Sequence, residues 1–202
     1  MNARPFNMFP TIMLADNPST VSSSKPSSLE VELGNQKRLT AGTWQGESRV
    51  DIRQWNGKPT KKGVSLTLMR YLSLRDAIPE LTQALDKVID GAGESKLQRH
   101  LGRNVYASVG APFVGVSLRQ WFMPKDSQHN AEDEHLKLLP GKGIFLNRSE
   151  WLKFCEMDQE MDNHVPELKT TIRCFDRDDH MNQLGWLSCA ECNPNSNFYG
   201  DY

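Results

Sequence analysis

The sequence predicts an α+β fold built from two tandem units, and two observations carry this prediction. A motif of two strands joined by a basic turn occurs in residues 50–68 and returns in residues 116–146. Each copy leads into an apolar helix pattern that contains a similar tag, Ile-Pro-Glu-Leu at 78–81 and Val-Pro-Glu-Leu at 165–168. Repetition of a unit this long indicates two related modules, and modules this small gain stability by burying faces against each other.

The first unit, residues 29–90, is predicted to contain strands followed by a helix. Its strand signal is the alternation of apolar and polar residues, which occurs at residues 29–33, 50–55 and 64–68. The apolar helix pattern after these strands contains Pro79. A proline is expected to end one helical segment there and to open a second one. The unit is therefore predicted to be a sheet with a helix on one face.

The second unit, residues 97–168, repeats this order with an acidic insertion at residues 124–137. Its helix pattern is about two turns longer before Pro166, so its apolar face keeps the same phase. Residues 1–28 are rich in Ser and Pro and are predicted to be a flexible arm. Residues 169–202 are predicted to be a separate tail that contains cysteine and histidine.

Composition narrows the possible functions. The formal net charge is −1, so the chain as a whole is not a basic nucleic-acid binder, although residues 30–90 hold ten Lys/Arg against eight Asp/Glu. A binding site for a polyanion is therefore expected to lie mainly on the first unit. No uncharged run is long enough for a membrane span, so no membrane partner is expected. All four cysteines lie in the last third of the chain, a placement that favours an intracellular protein over a disulfide-linked secreted one. The sequence contains no catalytic constellation, so no enzyme is expected.

The first copy of the motif resembles a known family. Asp-Ile-Arg-Gln-Trp at 51–55, Lys-Pro-Thr-Lys-Lys-Gly at 58–63 and Val-Ser-Leu-Thr-Leu at 64–68 precede a Pro-containing helix. This order resembles the positive cofactor 4 family of RNA polymerase II transcriptional coactivators. The resemblance covers residues 29–89, and a weaker second copy covers residues 97–168.

The resemblance implies a curved four-stranded antiparallel sheet backed by one helix in each unit. It also implies nuclear localisation, partners in the transcription machinery, and binding of single-stranded or melted DNA in channels between paired sheets. Family members usually carry one unit per chain and dimerise through their helices. Two copies in one chain therefore imply an intrachain pseudo-dimer, with exchange between chains in a homodimer left open.

Binding of single strands requires cations that follow the phosphates and flat rings that stack on unpaired bases. The candidates in the first unit are Lys37, Arg38, Trp44, Arg49, Arg53, Trp55, Lys58, Lys61 and Lys62. Those in the second unit are Arg103, Tyr106, Arg119, Trp121 and Lys142. Each also has a structural interpretation, as a core ring or a solvated turn. The second unit is either a weakened half-site or a structural partner that has lost binding.

The tail contains a possible metal site. Cys174, His180, Cys189 and Cys192 offer four ligands of types that zinc accepts, and the Cys-x-x-Cys spacing lets two thiolates hold one ion. The alternative is a set of packed or unstructured thiols. No cofactor is required for DNA binding itself.

The sequence thus predicts a single-stranded DNA-binding, coactivator-like protein. The alternative is a protein-interaction adaptor that uses the fold as a dimerisation scaffold, with DNA binding weak or lost. Salt-sensitive DNA affinity distinguishes the two.

Overall fold

The computed structural model describes residues 29–91, 96–122, 139–180 and 182–194. The predicted arm and the predicted acidic insertion lie outside these residues.

The chain forms two four-stranded antiparallel sheets, each followed by a helix and each with its strands in sequential order. The first unit contains β1 (Leu29–Gly34), β2 (Lys37–Trp44), β3 (Glu47–Asn56), β4 (Lys58–Thr67) and α1 (Leu68–Ile89). The second contains β5 (Leu97–Gly102), β6 (Val105–Gly110), β7 (Phe113–Phe122), β8 (Leu139–Asn147) and α2 (Arg148–His164). The predicted α+β class is confirmed.

The alternation in the sequence separates the two faces of each sheet. Val50 and Ile52 of β3, like Val116 and Leu118 of β7, are fully buried on the inner face. Their polar neighbours point to the outer face, because successive residues of a strand project to opposite sides. The buried residues of both sheets and both helices belong to one hydrophobic cluster, so the two units share a core.

Helix α1 continues through Pro79, where the sequence predicted a break. An interior proline costs a helix about 3 kcal/mol or more, since it removes one hydrogen bond and crowds the preceding turn. Buried residues lie on both sides of the proline, at Leu74, Ala77, Leu81 and Leu85. Burial of this continuous apolar face offsets the cost. In the second unit the helix ends before Pro166, which begins a short 3₁₀ helix at Pro166–Lys169.

The tail continues with 3₁₀ helices at Cys174–Asp176 and Asp178–His180 and a short helix, α3, at Gln183–Ser188. In the part of the chain described here, no helix is long and apolar enough to cross a membrane.

The two units pair within one chain, and their helices lie at the junction. Helix α1 packs against β5, β6 and β7 of the second unit as well as against β3 and β4 of its own sheet, and α2 packs against β1. The aromatic side chains of Tyr71, Trp151 and Phe154 form the buried centre of this junction. Polar contacts also cross it, since Trp151 Nε1 donates to Thr82 Oγ1 at 3.0 Å and Arg75 Nε donates to Asp158 at 2.9 Å.

One buried carboxylate connects the start of α2 to the first sheet. Glu150 is 1% exposed and completes a capping box with Asn147, whose backbone N–H donates to Glu150 Oε2 at 2.8 Å. The same carboxylate accepts from Lys37 Nζ at 2.7 Å and from Asn35 Nδ2 at 2.9 Å, both at the β1–β2 turn. Glu150 therefore stabilises the helix terminus and the junction between the units together.

Candidate nucleic-acid interface

A cation and an aromatic ring meet on the outer face of the first sheet. Strand register places Arg38 of β2 beside Arg53 of β3, and Arg53 beside Gly63 of β4. The guanidinium carbon of Arg38 lies 4.6 Å from the centre of the Trp55 ring, within the range of a cation–π contact. The side chains of Arg38, Arg53 and Trp55 are half-buried, so this face combines positive charge with partly accessible aromatic surface.

A bulge in the β3–β4 ladder presents the lysines of this unit. Arg53 pairs with Gly63 but Trp55 pairs with Pro59, so the register shifts between them. Two hydrogen bonds between the strands stabilise the bulge: Thr60 Oγ1 donates to the carbonyl of Gln54 at 2.8 Å, and Arg53 donates to the carbonyl of Thr60 at 2.9 Å. Two exposed lysines, Lys61 and Lys62, lie within the bulge, and the exposed Lys58 lies just before it on β4; the three are called the lysines of the bulge below.

The bulge requires a glycine on its own strand, at the point where the regular pairing with β3 resumes. A Cβ at Gly63 would lie 2.5 Å from the carbonyl oxygen of Ile52 and 2.8 Å from Cα of Arg53, and the φ of Gly63 is +154°. The second sheet repeats this arrangement, since a Cβ at Gly143 would lie 2.6 Å from the carbonyl oxygen of Leu118. In both units the glycine pairs with an arginine of the adjacent strand, Arg53 or Arg119, and its lack of a side chain lets the two backbones approach closely there.

We expect Gly63→Ala to lower the free energy of unfolding by about 1–3 kcal/mol, since a methyl group cannot fit without moving the strands. Urea unfolding followed by circular dichroism measures the effect. Gly42→Ala is the matched control, because nothing lies within 4 Å of a Cβ at Gly42 of the same sheet. Equal effects of the two substitutions would contradict the steric argument.

The arginines on the outer face of the first sheet and the lysines of the bulge differ in their partners. Arg38 pairs with Glu30, Arg49 with Glu47 at 2.7 Å, and Arg53 with Asp51 at 2.8 Å, in a set of three surface ion pairs. Among the residues that the structure describes, the lysines of the bulge form no ion pair. Surface ion pairs contribute about 0–1 kcal/mol each, so a phosphate can compete for these arginines. The lysines supply the charge that is not neutralised within the fold.

Two predicted residues lie away from this group. Lys37 shares the inner face of β2 with Leu39 and bonds to Glu150, as described above, so it lies on the opposite side of the strand from Arg38. Trp44 is 65% exposed at the β2–β3 turn, which is the far end of the sheet from the bulge. Arg49 lies near that far end, where Glu47 holds one of its terminal nitrogens.

The outer face of the second sheet has a different chemical character. The register that aligns Arg38, Arg53 and Gly63 in the first sheet aligns Tyr106, Arg119 and Gly143 in the second. The ring of Tyr106 packs against that of His100 at an interplanar angle of 37°, with ring centres 4.9 Å apart, and burial raises the pKa of the tyrosine. A second aromatic pair, Phe113 and Phe145 with centres 6.2 Å apart, lies farther along the sheet.

Carboxylates of the first face have uncharged or weakly basic counterparts in the second. Register places Gln98, His100 and Ser117 at the positions that Glu30, Glu32 and Asp51 occupy in the first sheet. Within the described strands, Arg119 forms no ion pair with a carboxylate. Arg119 of the second face therefore lies near aromatic rings and has no carboxylate partner in these strands.

The remaining candidates of the second unit lie at the bulge and the turns. The backbone N–H of Trp121 donates to the carbonyl of Asn104 at 2.8 Å, just as that of Trp55 donates to the carbonyl of Gln36 at 2.7 Å. Arg103 is exposed in the β5–β6 turn, and Lys142 is exposed on β8. The outer-face rings of His100, Phe113 and Phe145 were not among the residues predicted from the sequence, although period-two alternation within the repeat identifies them.

The fold and this surface define a two-sheet α+β protein with a basic, aromatic outer face on its first unit. Residues 31–77, which include the Arg38–Trp55 pair and the lysine bulge, match the family model described as Transcriptional Coactivator p15 (PC4). The predicted resemblance to the positive cofactor 4 family is confirmed over these residues.

A curated protein of Neurospora crassa, which carries the provisional name RNA polymerase II transcriptional coactivator, is 39% identical over 59 residues. The alignment covers 27% of this chain and 34% of that relative, so the match spans about a third of the relative's length. No solved structure matches the chain significantly.

Proposed function

We propose that this protein binds single-stranded or melted DNA across the outer faces of its sheets and acts as a nuclear transcriptional coactivator. One observation carries the proposal: Arg38 stacked on Trp55, with Arg53 beside it, adjoins a bulge of three exposed lysines. The family match of the first unit, which covers these residues, supports the same conclusion.

The chemistry of this face favours single strands over duplex. Lysines track the phosphates of any nucleic acid and make binding depend on salt. The Trp55 ring gains energy only from a base whose face is free, and duplex DNA hides its base faces in the stack. Stacking therefore distinguishes single from double strands, while the lysines supply most of the affinity.

The second sheet contributes mainly through its rings. Tyr106 and Arg119 occupy the positions of Arg38 and Arg53, so one of the two cations in that row is exchanged for an aromatic ring. We assign to the second face a half-site that depends more on stacking and less on salt than the first.

A protein-interaction adaptor remains the second candidate, because one observation favours it. The tail exposes large apolar side chains at Ile172, Phe175 and Leu184, each at least 60% exposed. Such residues suit contact with another protein. An adaptor would bind DNA weakly, with no dependence on strand state or on Trp55.

Fluorescence anisotropy of a labelled oligonucleotide of about 20 nucleotides, single-stranded and duplex at several salt concentrations, tests the proposal. Tighter binding of the single strand with a steep salt dependence is the expected result. Weak binding that ignores strand state would reject DNA binding and favour the adaptor.

In the same assay, Trp55→Ala is expected to weaken single-strand binding by about 1–3 kcal/mol, because one stacking platform is lost. The slope of affinity against salt should stay unchanged, since no cation is removed. Trp186→Ala is the matched control: Trp186 is 40% exposed but lies on α3, outside both sheets. Equal losses in the two variants would refute a specific stacking role for Trp55.

A further inference from the structure

Four side chains of the tail converge on one point. Cys174 Sγ lies 3.4 Å from Cys189 Sγ and 3.6 Å from His180 Nε2. The ligand atoms of these residues and of Cys192 all lie within 4.8 Å of one another. A tetrahedral zinc ion with Zn–S of about 2.3 Å and Zn–N of about 2.0–2.1 Å holds its ligand atoms roughly 3.5–3.8 Å apart. The observed spacing is close to this geometry.

We propose that Cys174, His180, Cys189 and Cys192 bind one structural Zn²⁺ ion, which fixes the tail to the junction of the two units. Four protein ligands leave no open position on a tetrahedral ion, as in structural rather than catalytic sites. The site lies outside the proposed DNA-binding faces, and its existence does not depend on the proposed function.

Groups around the ligands are arranged for a metal-bound thiolate and imidazole. The backbone N–H of Asn193 donates to the carbonyl of Cys189 at 2.8 Å, so the segment that contains the Cys-x-x-Cys pair turns back on itself. Asp179 Oδ1 lies 2.8 Å from His180 Nδ1, which orients the ring and leaves Nε2 facing the sulfurs. A carboxylate on the distal nitrogen of a histidine ligand is a common outer-shell feature of zinc sites.

The tail needs a source of folding energy other than a hydrophobic core. None of its described residues after Leu168 is buried, yet it contains two 3₁₀ helices and α3. A segment this short without a core is not expected to hold a defined structure unaided. Metal binding provides that free energy directly, because the site forms only in the folded state.

Glu191 shows what the ordered tail contacts. It lies between the two last ligands, its carboxylate accepts from Arg70 Nε at 2.9 Å, and its carbonyl accepts from the backbone N–H of Arg103 at 2.6 Å. Arg70 belongs to α1 of the first unit and Arg103 to the β5–β6 turn of the second. Zinc would therefore hold Glu191 in contact with both units, through its carboxylate on the first and its carbonyl on the second.

The position of Arg70 explains why a carboxylate is needed there. Arg70 and Glu150 are each the third residue of the helix in their units, after the caps Thr67 and Asn147. A cation near a helix N-terminus is unfavourable because the helix dipole is positive there. The negative charge of Glu150 is favourable near the N-terminus of α2. The positive charge of Arg70 is unfavourable at the same position of α1, and the carboxylate of Glu191 compensates it.

Metal analysis of the purified full-length chain tests the site. One zinc per chain is expected, and replacement by Co²⁺ should give the thiolate-to-cobalt charge-transfer bands of a tetrahedral sulfur-rich site. Cys192→Ala should weaken Co²⁺ binding by more than about 100-fold, since loss of even an outer-shell partner costs 10–100-fold.

Cys155→Ala is the matched control for these measurements. Cys155 lies on α2 outside the cluster, and burial raises the pKa of its thiol to about 11. This variant should retain one metal ion per chain. Failure of the wild type to bind zinc or cobalt, equal loss in both variants, or a Cys174–Cys189 disulfide in the purified protein would each overturn the proposal.

The link to the junction has its own test. In hydrogen exchange, removal of zinc by a chelator should raise exchange at residues 182–194 and at the β5–β6 turn, with the central strands unchanged. Glu191→Gln should keep both the zinc and the carbonyl contact with Arg103, so exchange should rise at the start of α1, where Arg70 loses its carboxylate partner, and not at the β5–β6 turn. No change at the β5–β6 turn after removal of zinc would show that the ion does not fix the tail to the junction.

Discussion

Glu150→Ala is expected to lower the free energy of unfolding by about 3–5 kcal/mol. Removing one partner of a buried ion pair leaves the other uncompensated, and Lys37 is only 14% exposed at the junction. The substitution also removes the capping box of α2 and leaves the amide of Asn35 without its acceptor. Urea unfolding followed by circular dichroism and by tryptophan fluorescence measures the loss, because Trp151 adjoins the site in the same helix.

Two further variants isolate the buried charge. Lys37→Met combined with Glu150→Gln should recover a large part of the loss, because the cap acceptor remains and no charge is left unpaired. Glu160→Ala, at an exposed position of the same helix, should change the stability by no more than about 0.5 kcal/mol. If Glu150→Ala costs as little as Glu160→Ala, the carboxylate does not stabilise the junction.

Replacing the three lysines of the bulge by alanine is expected to produce the largest loss of DNA affinity. Each phosphate contact contributes about 0.7 to the salt slope of single-strand binding, so the slope should fall by about 2. At about 0.5–1 kcal/mol per exposed charge pair, affinity should fall roughly 10- to 100-fold. Anisotropy titrations of the single strand across a range of salt concentrations give both quantities for Lys58, Lys61 and Lys62.

A second triple variant keeps the change in net charge the same. Lys87, Lys153 and Lys169 are exposed on helices, away from both outer faces, and form no ion pair within the described residues. Their replacement by alanine should leave the salt slope almost unchanged. A similar loss in both triple variants would mean that DNA responds to the overall charge and not to the bulge.

Much of the fold was predictable because local periodicity encodes it. Alternation of Val50 and Ile52 with polar residues identified the strand and the inner face, and the repeated motif identified the second unit. The same rule shows that Lys37 and Arg38 project to opposite faces, since neighbouring residues of a strand do so. The predicted group of candidates combined both faces, and the structure separates them.

Other features depend on contacts that periodicity does not encode. The carboxylate of Glu150 meets Lys37 across 113 residues of sequence, and Glu191 meets Arg70 across 121. Helix α1 passes Pro79 because residues from both sheets bury its apolar face, which is a tertiary effect that overrides the local preference. The four tail ligands were identified by residue type alone, but their convergence required the fold of the tail.

Arg70 and Glu150, of opposite charge, occupy the third position of α1 and α2, which is possible because the two units are joined in one chain and can differ in sequence. In a homodimer one residue type must serve both positions, so an Arg in one helix is an Arg in the other. Here Arg70 and Glu150 occupy them separately, and each has its own partner. Dissociation of a homodimer also rises on dilution, because its folded state depends on protein concentration. Two units joined in one chain do not separate on dilution. Each unit can also acquire substitutions without the same substitution arising in the other unit.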